Sequence, residues 1–442
     1  MTARPSSPRR RAVVIGASVA GLLCAAAVSR HFDEVHVVDR DRRPRGLSAR
    51  GGVPHARHSH ILLHPGCVAV EALLPGAMAG LQAAGAAYGP ASSRLVIHLG
   101  GGPIDLRTTD LAVLALGREA LEGELRRQTQ TLPGITFHWR TSVLDVRLDG
   151  GRRVVGVRAT SLDDGQIADL EADLVVDASG RTSHIVDTLA GYGIPAPPVD
   201  RVRVDGWYVT RRFTLSPGRA RPEALGELAT IIQTTPGVLR RTAVLCRVDS
   251  RTWSVSMAGY GGERAPAELP GFRDFAQELS GPIVPVLADL VPDGDPVVFR
   301  LPNLVRRRFD RLDDPPAGLV VVGDAVCTVD AAGGIGMSLA AVQALALREA
   351  LEAVPLRKVP REAYRRSAGT LDLAWRGALS RHVPATGDGV VIDRHVRQVL
   401  AAAEHDPVLG LAFSRVAHLQ AEPHTLLAPP LAQRALAAAP SA

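Results

Sequence analysis

Apolar residues along the first half of the chain fall in short unbroken runs. "AVVI" (12–15), "EVHVVD" (34–39), "ADLVVD" (172–177) and "GLVVVGD" (318–324) are of strand length, and three of them run straight into a turn built from glycine, alanine and serine. Between the first two, "SVAGLLCAAAVSR" (18–30) is apolar over a helical length, so this region predicts strand, tight turn, helix, loop and second strand. A different pattern holds in "RVRVDGWYVTRRFTL" and "TAVLCRVDSRTWSVSMAGYG", whose mixed alternation and aromatic residues predict strands of an open sheet. "RLVIHLGGGPIDLR" (94–107) reads as a hairpin of the same layer. After residue 350 the pattern becomes Ala/Leu/Arg-rich and helical, with Pro429 and Pro430 breaking the last two pieces. No apolar run there is long enough to span a bilayer, and no internal repeat stands out.

Composition bounds this picture. At 442 residues with 46% apolar content, the chain can bury a large core divided over two or three domains. The net charge of +6 and pI near 9.6 raise the question of a nucleic-acid partner. Lys358 is the only lysine, however, and the arginines are scattered, so no binding stripe forms and nucleic acid is excluded. Cys24, Cys67, Cys246 and Cys327 lie far apart with no CxxC, which argues against zinc or a disulfide framework and for a reducing, cytoplasmic setting. Arg9 to Arg11 before an apolar run imitate a signal peptide, but the glycine spacing gives that run another purpose, and residues 1–8 read as a loose tail.

That spacing is Gly16, Ser18 and Gly21 at the turn, with Asp39 ending the second strand. Gly16 permits the turn, a small residue at 18 lets the backbone approach a pyrophosphate, Gly21 packs helix on strand, and the helix N-terminus favours phosphate charge. Val19 and Ala20 open that helix, Asp39 is placed to accept a hydrogen bond from an adenosine ribose, and Arg40 follows it. A dinucleotide turn of this kind does not separate NAD from FAD.

Two further segments do. "ADLVVDASGRTS", ending its strand at Asp177 and Gly180, and "GLVVVGDAVCTVDAAGGIGMSLAAVQALALREAL", with Gly323 and Asp324, follow "GASVAG" in the order and separations of the three flavin motifs of single-component FAD monooxygenases. "RGGVPHARHSHILLHPGCVAVEALLPG" (50–76), "LGREALEGELRR" (116–127) and the stretch at 411–436 resemble bacterial FAD-dependent epoxidases of polyketide and polyether pathways, relatives of squalene epoxidase. The resemblance implies an α/β fold: a Rossmann-type, glutathione-reductase-like FAD-binding domain assembled from 9–85, 108–190 and 295–350, an inserted β-rich substrate domain from 86–107 and 191–294, and a C-terminal helical region from 351 to 442. It implies that Asp324 contacts the ribityl chain, that Arg118 meets the phosphate or ribityl group, and that the backbone of Gly334, Ile335, Gly336 and Met337 approaches the isoalloxazine ring. Val143 is assigned to the cofactor site with them.

In that family reduced flavin forms a C4a-hydroperoxide that delivers one oxygen atom, so no acid or base side chain is required, and none is nominated as catalytic. NAD(P)H visiting briefly, or a partner flavin reductase, is the implied electron donor, and a lipophilic polyketide or terpenoid the implied substrate. His55, His58, His60 and His64 fall within ten residues, but their spacing fits no common zinc pattern; a hydrogen bond from one of them to cofactor or substrate is expected instead. The resembled epoxidases carry "NPxYGxGM" where this chain has "DAAGGIGM" (330–337), with Ala331 for the proline. Alanine beside two glycines implies a looser cavity. That substitution keeps a second function open, a redox-neutral [4+2] cyclase in which FAD is a scaffold and the fold of the bound polyene lowers the entropic barrier. A halogenase is disfavoured because no WxWxIP stretch and no evident catalytic lysine are present, and a non-catalytic nucleotide-binding protein is the remaining alternative.

Overall fold

In the computed structural model the strand Arg11–Ile15 is the centre of a five-stranded parallel sheet ordered Leu319–Val321, Leu174–Asp177, Arg11–Ile15, Glu34–Asp39, Ile135–Trp139. The structure describes residues 9–46, 50–52, 56–99, 103–106, 109–150, 152–216, 218, 220–222, 225–233, 240–279, 281–383 and 388–437. Ala12, Val13 and Val14 are wholly buried, as are Leu174, Val175 and Val176. Successive residues point to opposite faces of a strand, so burial of all three requires cover on both sides of the sheet. One cover is the helix Val19–Val28, nine of whose ten residues are buried. It is alanine-rich and apolar all round because it is wedged beneath the helices Arg118–Gln130 and Gly336–Ala353.

The second large sheet has seven strands, ordered Cys327–Thr328, Leu290–Arg307, Val199–Leu215, Thr252–Gly259, Arg241–Arg247, Ala229–Gln233, Leu95–Leu99. Its two faces do different work. Val209, Phe213, Val255 and Met257 point into a separate core closed by the helices Leu269–Gln277 and Ile283–Ala288. Their alternate neighbours Tyr208, Thr210, Ser256 and Ala258 point the other way, with Tyr208 opposite Ala258 and Thr210 opposite Ser256 across one antiparallel ladder. That face mixes small and hydroxylated side chains with an aromatic ring. The segment expected as a hairpin supplies one sheet strand, Leu95–Leu99, which runs parallel to Ala229–Gln233, and returns only as far as a bridge between His98 and Pro103.

The glycine-rich segment joins the two sheets. Leu319–Val321 belongs to the parallel sheet, Cys327 and Thr328 pair with Arg306 and Val305 at the edge of the second sheet, and Gly336 starts the next long helix. The helix Val359–His382 packs along Gly336–Ala353, and the Tyr364 phenol accepts a hydrogen bond from the Val321 amide at 2.9 Å. Shorter helices Asp388–Ala402, Pro407–Ala417 and Pro429–Ala437 complete the C-terminal part, the last starting at Pro429, where a proline costs nothing because the first helical amide has no partner to lose. Among the described residues no single helix is long and apolar enough to cross a membrane; one bent pair, His64–Leu73 with Ala77–Ala83, passes on length and composition together.

Candidate functional site

Where the three turns of the parallel sheet meet the inner face of the second sheet, they enclose a cavity of about 470 Å³, within the ~300–1,000 Å³ usual for ligand pockets. Gly16, Ser18, Val19 and Ala20 form one wall, Asp39, Arg40 and Arg118 continue it, and Val143 closes the rim. Asp177 and Gly180 come from the second turn, and Asp324, Gly334, Gly336 and Met337 from the third. Gly21 and Ile335 lie off this wall. Ile335 is buried in the core, and a side chain on Gly21 would place its Cβ 1.7 Å from the Gly16 carbonyl oxygen, so Gly21 serves the turn itself. Gly16 has φ of +99°, and a Cβ there would lie 2.7 Å from the Ala178 carbonyl oxygen. The first turn therefore needs glycine to pass the backbone of the second turn, a reason visible only once both are in place.

Polar groups at the dinucleotide end already hold one another. Asp39 accepts from the Ala17 amide at 2.6 Å, the Asp41 amide at 2.8 Å and Arg50 at 3.0 Å, which closes the loop after the first strand. Arg118 donates to Glu122 at 2.9 Å and to the Ser18 hydroxyl at 2.9 Å, and Ser18 passes its own proton to Glu122 at 2.7 Å. The Ser18 hydroxyl is thus turned to a buried carboxylate. Burial by itself would raise the Glu122 pKa, but Arg118 and Arg50 hold it below the usual range. Arg50 and Glu122 are functional candidates that the motif spacing did not reveal, because neither lies on one of the three turns that follow the strands of the parallel sheet.

The two motif aspartates differ. Asp177 is consumed by its own turn, accepting from the Ser179 amide and hydroxyl and from the Ser183 hydroxyl. Asp324 has no hydrogen-bond partner for its carboxylate among the described residues, and burial raises its pKa against the pull of Arg181 and Arg118. A recessed acceptor of this kind calls for a ligand hydroxyl. Two helix N-termini, at Val19 and Gly336, also open on the cavity with no capping side chain, so their backbone amides favour negative charge there.

Beyond Asp324 the loop is tied down at Asp330, which is fully buried. One carboxylate oxygen accepts from Tyr208 at 2.5 Å, Tyr260 at 2.9 Å and the Ala332 amide at 2.9 Å; the other faces His382 Nε2 at 2.7 Å. Burial would raise this pKa, yet the His382 hydrogen bond and the Arg381 charge hold it well below the ordinary carboxylate range, while burial and Asp330 push Tyr208 and Tyr260 up. The freedom expected from Ala331 is therefore countered: side chains from the second sheet and from the C-terminal helix clamp the loop that proline would have stiffened. His55 lies outside the described residues. His58 and His60 line the cavity, whereas His64 accepts from the Ala112 amide at 3.1 Å, away from it.

An anion cradle at two helix ends, an unpartnered carboxylate and a wall of glycines fit the diphosphate, ribityl chain and flat ring of a flavin dinucleotide. A model described as "FAD binding domain" matches residues 9–197. "Protein Rv3254" of Mycobacterium tuberculosis is 30% identical, with 99% of this chain and 95% of that protein aligned. Solved structures of the same fold include flavin-dependent brominase Bmp2 (TM-score 0.66, 16% identity, 92% of this chain and 93% of that one), p-nitrophenol 4-monooxygenase PnpA from Pseudomonas putida (0.64, 17%, 93% and 98%) and Diels-Alderase PyrE3 of the pyrroindomycin pathway (0.63, 16%, 92% and 80%).

Proposed function

We propose, from the premise that this chain belongs to the FAD-binding-domain family and is an FAD-dependent oxidoreductase of the monooxygenase class, that it inserts one oxygen atom into a lipophilic polyketide or terpenoid. The observation that carries this reading is one cavity shared by the three motif turns and the inner face of the second sheet, where Tyr208, Val244, Ala258, Phe299 and Leu301 form a largely apolar chamber.

Bound FAD, once reduced, supplies the activation of dioxygen. The residues of the chain do the holding and the shielding. Gly16 to Ala20 and Arg118 would take the diphosphate, Asp39 and Arg40 the adenosine ribose, and Asp324 the ribityl hydroxyls. Val143, Gly180, Gly334, Gly336 and Met337 would border the ring system, with the helix starting at Gly336 favouring negative charge beside it. Asp330, through Tyr208, Tyr260 and His382, holds in place the loop between that helix and the substrate chamber. NADPH, NADH or a separate flavin reductase is the proposed electron source.

Ala331 supports a second reading, a redox-neutral cyclisation in the same chamber. Incubation of the FAD-loaded protein with NADPH and isotopically heavy oxygen, using farnesol as an alkene probe and 1-naphthol as an aromatic one, separates the two. Heavy oxygen in a product supports the monooxygenase. Products isomeric with their substrates, formed equally without nicotinamide, would replace it by the cyclase, and a protein that binds no FAD would overturn both.

A further inference from the structure

His58 stands on the wall of the chamber, edge-on to the Phe299 ring at 5.7 Å. Its Nδ1 lies 2.6 Å from the Thr210 hydroxyl, whose oxygen is 2.5 Å from that of Ser256, which is 3.0 Å from that of Ser59. Beyond Ser59 stand the carbonyls of Val244 and Ser254, each 3.1 Å from its oxygen, and the Ser254 hydroxyl at 2.9 Å, which itself donates to the Cys246 carbonyl at 3.3 Å. Carbonyls only accept and the Ser254 proton is spent on Cys246, so the single proton of Ser59 points to this end and not back to Ser256. Ser59 must then accept from Ser256, Ser256 from Thr210, and Thr210 from an Nδ1–H of His58; the opposite order would set the Ser59 and Ser256 lone pairs against each other. The network thus selects the tautomer with its proton on Nδ1. Nε2 is left as a bare acceptor, and it is a buried atom with no partner among the described residues.

We propose that His58 Nε2 is a specificity-determining acceptor, and that the molecule occupying this chamber carries a hydroxyl or N–H donor on an otherwise apolar body, such as an aromatic alcohol or an enol. Burial, with Arg57 adding to it, lowers the His58 pKa to about 4, so at neutral pH the ring accepts a hydrogen bond and does not repel the donor as a cation. An occupant without a donor leaves Nε2 unmatched, and sites built around a hydrogen bond discriminate strongly against analogues that lack it. The proposal rests on reading this cavity as the substrate chamber and names the substrate class within that reading.

The test compares 1-naphthol with 1-fluoronaphthalene, close in shape but without a donor, by perturbation of the bound flavin's absorbance in the FAD-loaded protein. Wild type is expected to prefer 1-naphthol by about tenfold or more. His58→Phe is expected to bring the preference within about twofold at unchanged flavin content, since the Thr210 proton keeps Ser256 as its acceptor. Thr210→Val, which removes the partner of Nδ1–H, is expected to weaken the preference without removing the ring. No preference in wild type, including binding of neither probe, or a preference that survives in His58→Phe, overturns the assignment. Loss of oxygen insertion with the preference intact would instead count against the monooxygenase reading alone.

Discussion

Replacing Asp330 by alanine probes the clamp that stands where the resembled loops have proline. The carboxylate takes four donors, and its removal does not strand them equally. Tyr208 and Tyr260 lie 2.9 Å apart, so Tyr260 can donate to Tyr208, and Tyr208, on the cavity wall, can reach water. The Ala332 amide and His382 Nε2 remain buried without an acceptor. At ~1–3 kcal/mol for each unmet buried donor the expected loss is about 2–6 kcal/mol, in line with the ~3–5 kcal/mol for breaking a buried charge pair by removing one partner. The sign with pH follows from the folded-state pKa, held well below the ordinary ~4 of a free aspartate. Such a group contributes its full stability above pH ~4 and loses it as pH falls from there towards the folded value. Urea unfolding of wild type and Asp330→Ala, followed by far-UV dichroism from pH 7 to pH 3, should show a gap that is full at pH 6–7 and narrows below about pH 4. A loss under about 1 kcal/mol at pH 7, or a gap that widens in acid, would refute the clamp.

Three further outcomes follow from the same geometry. Ala331→Pro should be accepted and should stabilise by ~0.4–1 kcal/mol in the same unfolding assay, because Asp330 at ψ 126° already has the extended backbone that precedes proline and Ala331 opens a helical turn; a destabilised or flavin-free variant would contradict this. Asp324→Ala should weaken FAD binding by roughly 10- to 100-fold, the cost of one charge-assisted hydrogen bond, measured by flavin fluorescence titration, and full retention of FAD would remove Asp324 from the ribityl site. Gly16→Ala should cost at least ~1–2 kcal/mol from the positive φ alone, with the 2.7 Å approach to Ala178 added, so a variant of wild-type stability and full flavin content would show that the two turns do not pass as closely as the structure places them.

Much of the dinucleotide half was legible in the chain because its determinants are local. A run such as "AVVIGASVAGLLCAAAV" specifies strand, turn and buried helix by apolar length and glycine spacing, and these depend on neighbours only a few residues away. Asp324 and Gly334 to Met337 were picked out by the family resemblance, and they lie on either side of the short strand Cys327–Thr328. Arg50, Glu122 and Asp330 were not legible in this way. Arg50 and Glu122 are 72 residues apart and Asp330 and Tyr208 are 122 apart, so no spacing rule connects them. The hairpin expected at 94–107 was met in part: the segment joins the same layer and turns back through the antiparallel His98–Pro103 bridge, but alternation does not name a strand's other neighbour, which is the parallel strand Ala229–Gln233.

The sequence by itself determined the strand–turn–helix of the first turn and, through the family resemblance, the mixed fold and most of the turn residues that line one wall of the cavity. Only the tertiary structure decided which charges cancel, why Gly16 must be glycine, how a loop without its proline is held, and which nitrogen of His58 is left to accept. The division has one physical cause. Backbone turns are set by the local steric limits of each residue, whereas a buried polar group is defined by partners that packing alone brings within hydrogen-bond distance.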